Sequence, residues 1–249
     1  MKVPHKNQNQ VFLKLIEILG TISKESTLAL SNKENAVVTL KDNRTLMTIS
    51  HTNIVIAGVA LSNNLFNQPS NLNDEFVPLQ EIKDFFSYLF SNNFYKRLNH
   101  VGFCYHVDSI SDEKERLIRE AKKANFHLYE ETSNVPHHSW LFLGNTKDWR
   151  NPLVEFILIE ETDDKWKDYW LPHIQIDIDT VLSDDEIMEL VLKTIKGTIK
   201  PFPLFKTEEF TVITRVRLGV ISGININLDV GFEGRMARYH RVKMLTKLV

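Results

Sequence analysis

Two stretches of the chain alternate apolar and polar positions with a period of two, and each carries a histidine near its start. In residues 99–107, Val101, Phe103, Tyr105 and Val107 share one face, while His100, Gly102, Cys104 and His106 share the other. In residues 171–178, Ile174, Ile176 and Ile178 oppose His173, Gln175 and Asp177. The pattern predicts two strands that each bury an apolar face and turn a small, polar, ligand-rich face elsewhere.

Other periodicities place the remaining elements. Phe12, Leu15, Ile16 and Leu19 recur at helical spacing and predict a helix over residues 9–24. Strands are expected at 36–40, 45–49 and 54–61, with a turn at 41–44 between the first two and a polar loop or linker at 62–74. Val77-Pro78 leads into a helix carrying Ile82, Phe85, Phe86, Leu89 and Phe90, a stripe wide enough to require burial. No chemistry is evident in residues 1–95, a helix and strand region of unassigned role.

From residue 96 the order of elements becomes informative. The His100 strand is followed by a helix at 111–125, opened by Ser111, Asp112 and Glu113, and by strands near 126–130, 139–143 and 153–160. After the charged turn at 161–165 the order repeats: the His173 strand, a helix capped by Ser183 with Glu186 three residues on, and strands at 203–205, 210–220 and 224–230. The expected architecture is therefore α+β, with tandem βαβββ repeats at about 96–165 and 166–235 inside a domain spanning 96–249. His100 and His173 lie 73 residues apart. The same interval carries Glu155 to Leu228, so matching it with Asn227 or Asp229 needs a one-residue slip, which changes the face. Glu160 falls in register with Glu233.

Composition excludes several classes. With 43% hydrophobic and 25% charged residues, the chain has ordinary globular usage, and a net charge of −2 gives no general attraction to nucleic acid or anionic membrane. The lone cysteine, Cys104, excludes an intramolecular disulfide framework and suits a reducing compartment. No apolar run reaches the roughly 18 residues of a membrane span, and the N-terminus lacks a signal-type apolar core. A cytoplasmic location is expected.

Tandem βαβββ units with a histidine early in each first strand resemble the vicinal oxygen chelate superfamily, which includes glyoxalase I, epimerases, extradiol dioxygenases and antibiotic-resistance proteins. The likeness covers about residues 96–235. It rests on Asn99-His100-Val101-Gly102-Phe103, Val154-Glu155-Phe156, His173-Ile174-Gln175-Ile176 and Asn225-Ile226-Asn227-Leu228-Asp229. His100 with His106, the strand from Phe156 to Glu160, and Trp170 before His173 are similar to the YecM-like branch. The resemblance implies one cupped, mixed sheet holding a divalent metal (Fe, Mn, Ni or Zn), with His100, Glu155 and His173 as ligands and Asn227 or Asp229 as the fourth. Asp229 is the carboxylate of that pair, and Asn227 then becomes a substrate contact. The last strand departs from the family pattern in offering no glutamate there.

Two imidazoles and a carboxylate leave open positions on such an ion for substrate oxygens, and the ion would act as a Lewis acid. Glu155 and Glu160 are the candidate catalytic carboxylates, with Glu155 preferred as the metal ligand. Arg215 and Arg217 share a strand face that could clamp an anion, and His106 would line the site. The leading expectation is a metal-dependent isomerase, lyase or dioxygenase acting on a small oxygenated, anionic metabolite. The rival is a non-catalytic ligand-binding or protein-interaction module of the same fold, and a third reading makes the histidines structural. Cys104 reads as a passive thiol and His137-His138 as an exposed pair. The basic tail from 231 to 249, with Arg235, Arg238 and Arg241, reads as a charged face rather than a nucleic-acid site. A homodimer is compatible with the sequence.

Overall fold

The structure is a computed structural model. It describes residues 10–22, 26–32, 35–40, 45–49, 54–61, 75–135, 137–144, 152–160, 172–179, 181–195, 202–206, 211–221 and 224–232. The expected turn at 41–44, the loop at 62–74, the charged turn at 161–165, Glu233 and the basic tail beyond it lie outside the described residues.

Helix α1 (Gln10–Ile22) buries Phe12, Leu15, Ile16 and Leu19, the positions that its spacing selected. A five-stranded antiparallel sheet follows, β1 (Ser26–Asn32), β2 (Asn35–Leu40), β3 (Thr45–Ile49), β4 (Ile54–Ile56) and β5 (Val59–Leu61), in that spatial order. The single strand expected at 54–61 is two. Ala57 and Gly58 both have positive φ, 50° and 78°, which turns the chain tightly and pairs β4 with β5. A Cβ at Gly58 would collide with that of Ala124, so this turn also sits directly against the first βαβββ unit.

The larger sheet has nine strands. They are β6 (Glu75–Phe76), β7 (Tyr95–His106), β8 (His127–Val135), β9 (His138–Gly144), β10 (Leu153–Ile159), β11 (His173–Ile178), β12 (Phe202–Lys206), β13 (Thr211–Ile221) and β14 (Ile224–Phe232). Spatially they run β12-β13-β14-β11-β7-β10-β9-β8, with β6 on β13. Pairs β7/β10 and β11/β14 are parallel, and β7/β11 is antiparallel. The order β-α-β-β-β therefore occurs twice, with α3 (Ile110–Lys123) after β7 and α4 (Asp184–Thr194) after β11. This is the α+β, mixed-sheet architecture expected from the sequence, with the two histidine strands side by side at its centre.

Helices α1, α3, α4 and α2 (Leu79–Ser91) pack against this sheet. Phe12 of α1 stacks on Phe103 at 5.8 Å, so the helices cover the face that carries Val101, Phe103, Ile174 and Ile176. β6, α1 and α2 thus pack on the same sheet as the βαβββ units. Ser183 caps α4 in a capping box with Glu186, as the sequence signals. The α3 cap is Ser109 rather than Ser111: its hydroxyl accepts from Asp112 N at 3.2 Å, and Ser111 lies inside the helix. Among the described residues no helix is long and apolar enough to cross a membrane.

Candidate metal centre

The polar face of the sheet, opposite the helices, is laid out by its register. One row across the strands reads His100, Gln175, Asp229, Arg215, and the next reads Glu155, Gly102, His173, Asn227, Arg217. The antiparallel contact of β7 with β11 brings the two histidines together, and the parallel contact with β10 adds Glu155.

His100 Nε2 lies 3.0 Å from His173 Nε2. Glu155 Oε2 lies 3.3 Å from His100 Nε2 and 3.0 Å from His173 Nε2. All three side chains are buried, and their ligand atoms form the one cluster of metal-ligating type among the described residues. Around an ion with bonds of about 2.1 Å, ligand atoms at right angles stand about 3.0 Å apart, so the triangle has the size of one face of an octahedral shell.

A chain of hydrogen bonds fixes the donor state of His100. Asp177 accepts from Asn99 Nδ2 through both oxygens, at 2.9 and 3.0 Å, and from Arg97 Nε at 2.7 Å. With its amide nitrogen committed, Asn99 turns Oδ1 toward His100 Nδ1 at 3.0 Å. Nδ1 therefore carries the proton and Nε2 presents a lone pair to the cluster. A bulge makes this possible: Gln175 pairs with His100 but Ile176 pairs with Leu98, leaving Asn99 as the extra residue and turning Arg97 onto the polar face. Phe142 meets the His100 ring edge-to-face at 5.3 Å.

His173 needs a different provision. A Cβ on Gly102 would overlap Cε1, Nε2 and Nδ1 of the His173 imidazole, so only glycine leaves the ring its place. Glu155 Oε2 is left buried without an aligned hydrogen bond. Burial raises the Glu155 carboxyl, but the imidazoles of His100 and then of His173 beside it outweigh this and hold the group well below the ordinary carboxylate range. Burial lowers His173, and Glu155 followed by Asp229 more than offset this, raising it above the usual imidazole value. An orphaned carboxylate oxygen, an oriented lone pair and a spacing of about 3 Å fit a divalent cation.

No protein-family model matches the chain. No curated protein matches it either. Solved structures to which it bears a faint similarity include three. A hypothetical protein of Bacillus halodurans C-125 is 15% identical, with 55% of this chain and 95% of that one covered and a TM-score of 0.32. The trypanothione-dependent glyoxalase I of Leishmania major is 14% identical, with 61% and 97% covered and a TM-score of 0.21. A candidate dioxygenase of Bacillus subtilis subsp. subtilis str. 168 is 10% identical, with 93% and 62% covered and a TM-score of 0.32. These likenesses are faint, and the site rests on its own geometry.

Other residues singled out in the sequence are placed differently. In β7/β10 the residue opposite His100 is Leu153, and in β11/β14 the one opposite His173 is Asn227. Two positions on stand Glu155 and Asp229, so Asp229 is the counterpart of Glu155. It does not join the cluster. Arg215 holds it in a fork, Nε to Oδ1 at 2.7 Å and Nη2 to Oδ2 at 2.6 Å, with both side chains buried.

Glu160, expected as a catalytic carboxylate, lies beyond β10, where Oε1 accepts from Ile110 N at the start of α3. His106 is exposed at the end of β7, and Arg217 is half-buried at the end of the Asn227 row. Burial and then the charge of Glu155 push the Cys104 thiol far up, which makes it inert. His137 is exposed, and the side chain of His138 lies outside what is described.

Sequence reasoning missed Asn99, Arg97 and Phe142 as supports of His100 and Gly102 as the seat of His173. Only Gly102, a glycine inside a strand, carried a signal.

Proposed function

We propose that the protein is a metal-dependent enzyme acting on a small oxygenated metabolite, with His100, His173 and Glu155 holding one divalent transition ion. The observation that carries this reading is the buried triangle of Nε2, Nε2 and Oε2 atoms with sides of 3.0 to 3.3 Å. Such an ion would supply Lewis acidity to substrate oxygens at its open positions. The chain's own residues orient and protect the site. Asn99 keeps the proton on His100 Nδ1, Arg97 and Asp177 keep Asn99 in place, and Gly102 leaves room for His173. Leu153, Ile157 and Phe142 keep water from the adjoining part of the same face.

One observation favours a second reading, a ligand-binding module without turnover. No described carboxylate beside the triad is available to move a proton, since Asp229 is held by Arg215 and Glu160 caps α3. Cobalt substitution separates a chelating site from a closed structural one. Addition of acetohydroxamate, which binds through two neighbouring oxygens, is expected to shift the visible Co(II) bands; unchanged bands at saturating chelator overturn the proposal of open positions.

A further inference from the structure

Three nitrogen atoms on the polar face are buried and have no hydrogen-bond partner: Gln175 Nε2, Asn227 Nδ2 and Arg215 Nη1. An unpaired buried donor costs on the order of 1–3 kcal/mol, so three in adjoining rows are not incidental. The register places them on one side of the triad. Gln175 stands between His100 and Asp229, Asn227 stands beside His173, and Arg215 is across Asp229 from Gln175. Arg215 can give Nη1 to a ligand without leaving Asp229, because the fork uses only Nε and Nη2. Asn225, on the same face of β14, has an unpartnered amide oxygen, an acceptor suited to a hydroxyl.

The other side of the triad is apolar. Ile157 and Ile159 follow Glu155 on the same face of β10, with Cys104 and Trp140 packed against them. The face thus runs from hydrogen-bond donors, through the triad, to an apolar patch.

We infer that the ligand is an amphipathic monocarboxylic acid bearing a neighbouring hydroxyl or keto oxygen. Its carboxylate meets Gln175, Asn227 and Arg215, and its apolar body lies along Ile157, Ile159 and Trp140. This rests on the same face as the metal reading but not on the metal itself, because the three donors belong to the protein.

The test is calorimetric titration of the full chain, zinc-loaded and metal-free, with 3-phenyllactate, its uncharged amide and lactate. Phenyllactate is expected to bind at least tenfold more tightly than the amide or lactate. Gln175→Met and Asn227→Leu are each expected to weaken phenyllactate about tenfold while barely changing the amide. Preference for the acid is expected to persist without zinc. Equal binding of acid and amide, or no binding of either at millimolar concentration, overturns the inference. Should the variants fail to fold, the acid and amide comparison on the unaltered protein still decides it. Zinc uptake without acid preference removes this inference and leaves the metal reading standing; acid preference without zinc uptake does the reverse.

Discussion

Gly102 and His173 occupy one space: the imidazole lies where any side chain at position 102 would begin. The two residues pair directly across β7 and β11, so the displacement that a Cβ forces passes straight to the ring. Gly102→Ala is expected to lower affinity for a divalent ion at least about tenfold while the fold is kept, because strand backbone accepts alanine readily at this ordinary φ. Metal titration followed by circular dichroism checks it; native affinity in the alanine variant contradicts the role given to Gly102.

Asn99 acts through His100. Asn99→Leu removes the acceptor for Nδ1–H and leaves the imidazole to choose its own tautomer. The expected cost is roughly 10- to 100-fold in metal affinity, the range found when outer partners of ligand histidines are lost. Asn99→Asp, which still accepts from Nδ1 but faces Asp177 with a like charge, is expected to lose stability instead. Thermal melts and metal titrations of the two variants distinguish these effects.

The Arg215–Asp229 fork is buried on both sides, so breaking it from one side strands a charge. Arg215→Met or Asp229→Leu alone is expected to cost about 3–5 kcal/mol, and the double variant much less than the sum. Additive losses, read from denaturant unfolding, would mean that the pair does not interact as the geometry indicates.

Acidity links proton and metal at the triad. His173 has a raised folded pKa, so its contribution to metal-free stability is present below the ordinary imidazole value and lost as pH rises through the raised one. Glu155 has a depressed folded pKa, so its contribution is present above the ordinary carboxylate value and lost only as pH falls through the depressed one. The metal-free protein is therefore expected to lose stability on passing from mildly acidic to alkaline pH. Metal affinity should change in the opposite direction, because an entering cation displaces the His173 proton. Melting temperature against pH, with and without zinc, measures both trends.

Much of this arrangement was legible in the alternation of β7 and β11, which placed His100 and His173 on a common kind of face and gave the repeated β-α-β-β-β order. Glu155 was reached only through the resemblance that these strands carry, on the last strand of the first unit. The partner strands could not be read so directly. A single extra residue, Asn99, shifts the β7 register and brings Arg97 onto the polar face, and no periodicity announces a bulge. The interval of 73 residues carried Glu155 to Leu228, because the two halves differ in length by one residue between equivalent strand positions; the register itself identifies Asp229. That Asp229 is taken by Arg215 depends on a cross-strand contact, Arg215 opposite Asp229, visible only once β13 and β14 are paired. The strand at 54–61 was misjudged because Ala57, an unusual residue at positive φ, turns with Gly58.

The central claim is that His100, His173 and Glu155 bind one metal ion. Its most direct test is elemental analysis of protein purified without chelator or affinity-tag metal, beside His100→Ala, His173→Ala and Glu155→Gln. The account predicts about one transition-metal ion per chain in the native protein and loss of that ion in all three variants, with folded circular dichroism spectra. Native protein that holds no metal and takes up none on titration, or variants that retain it fully, would contradict it.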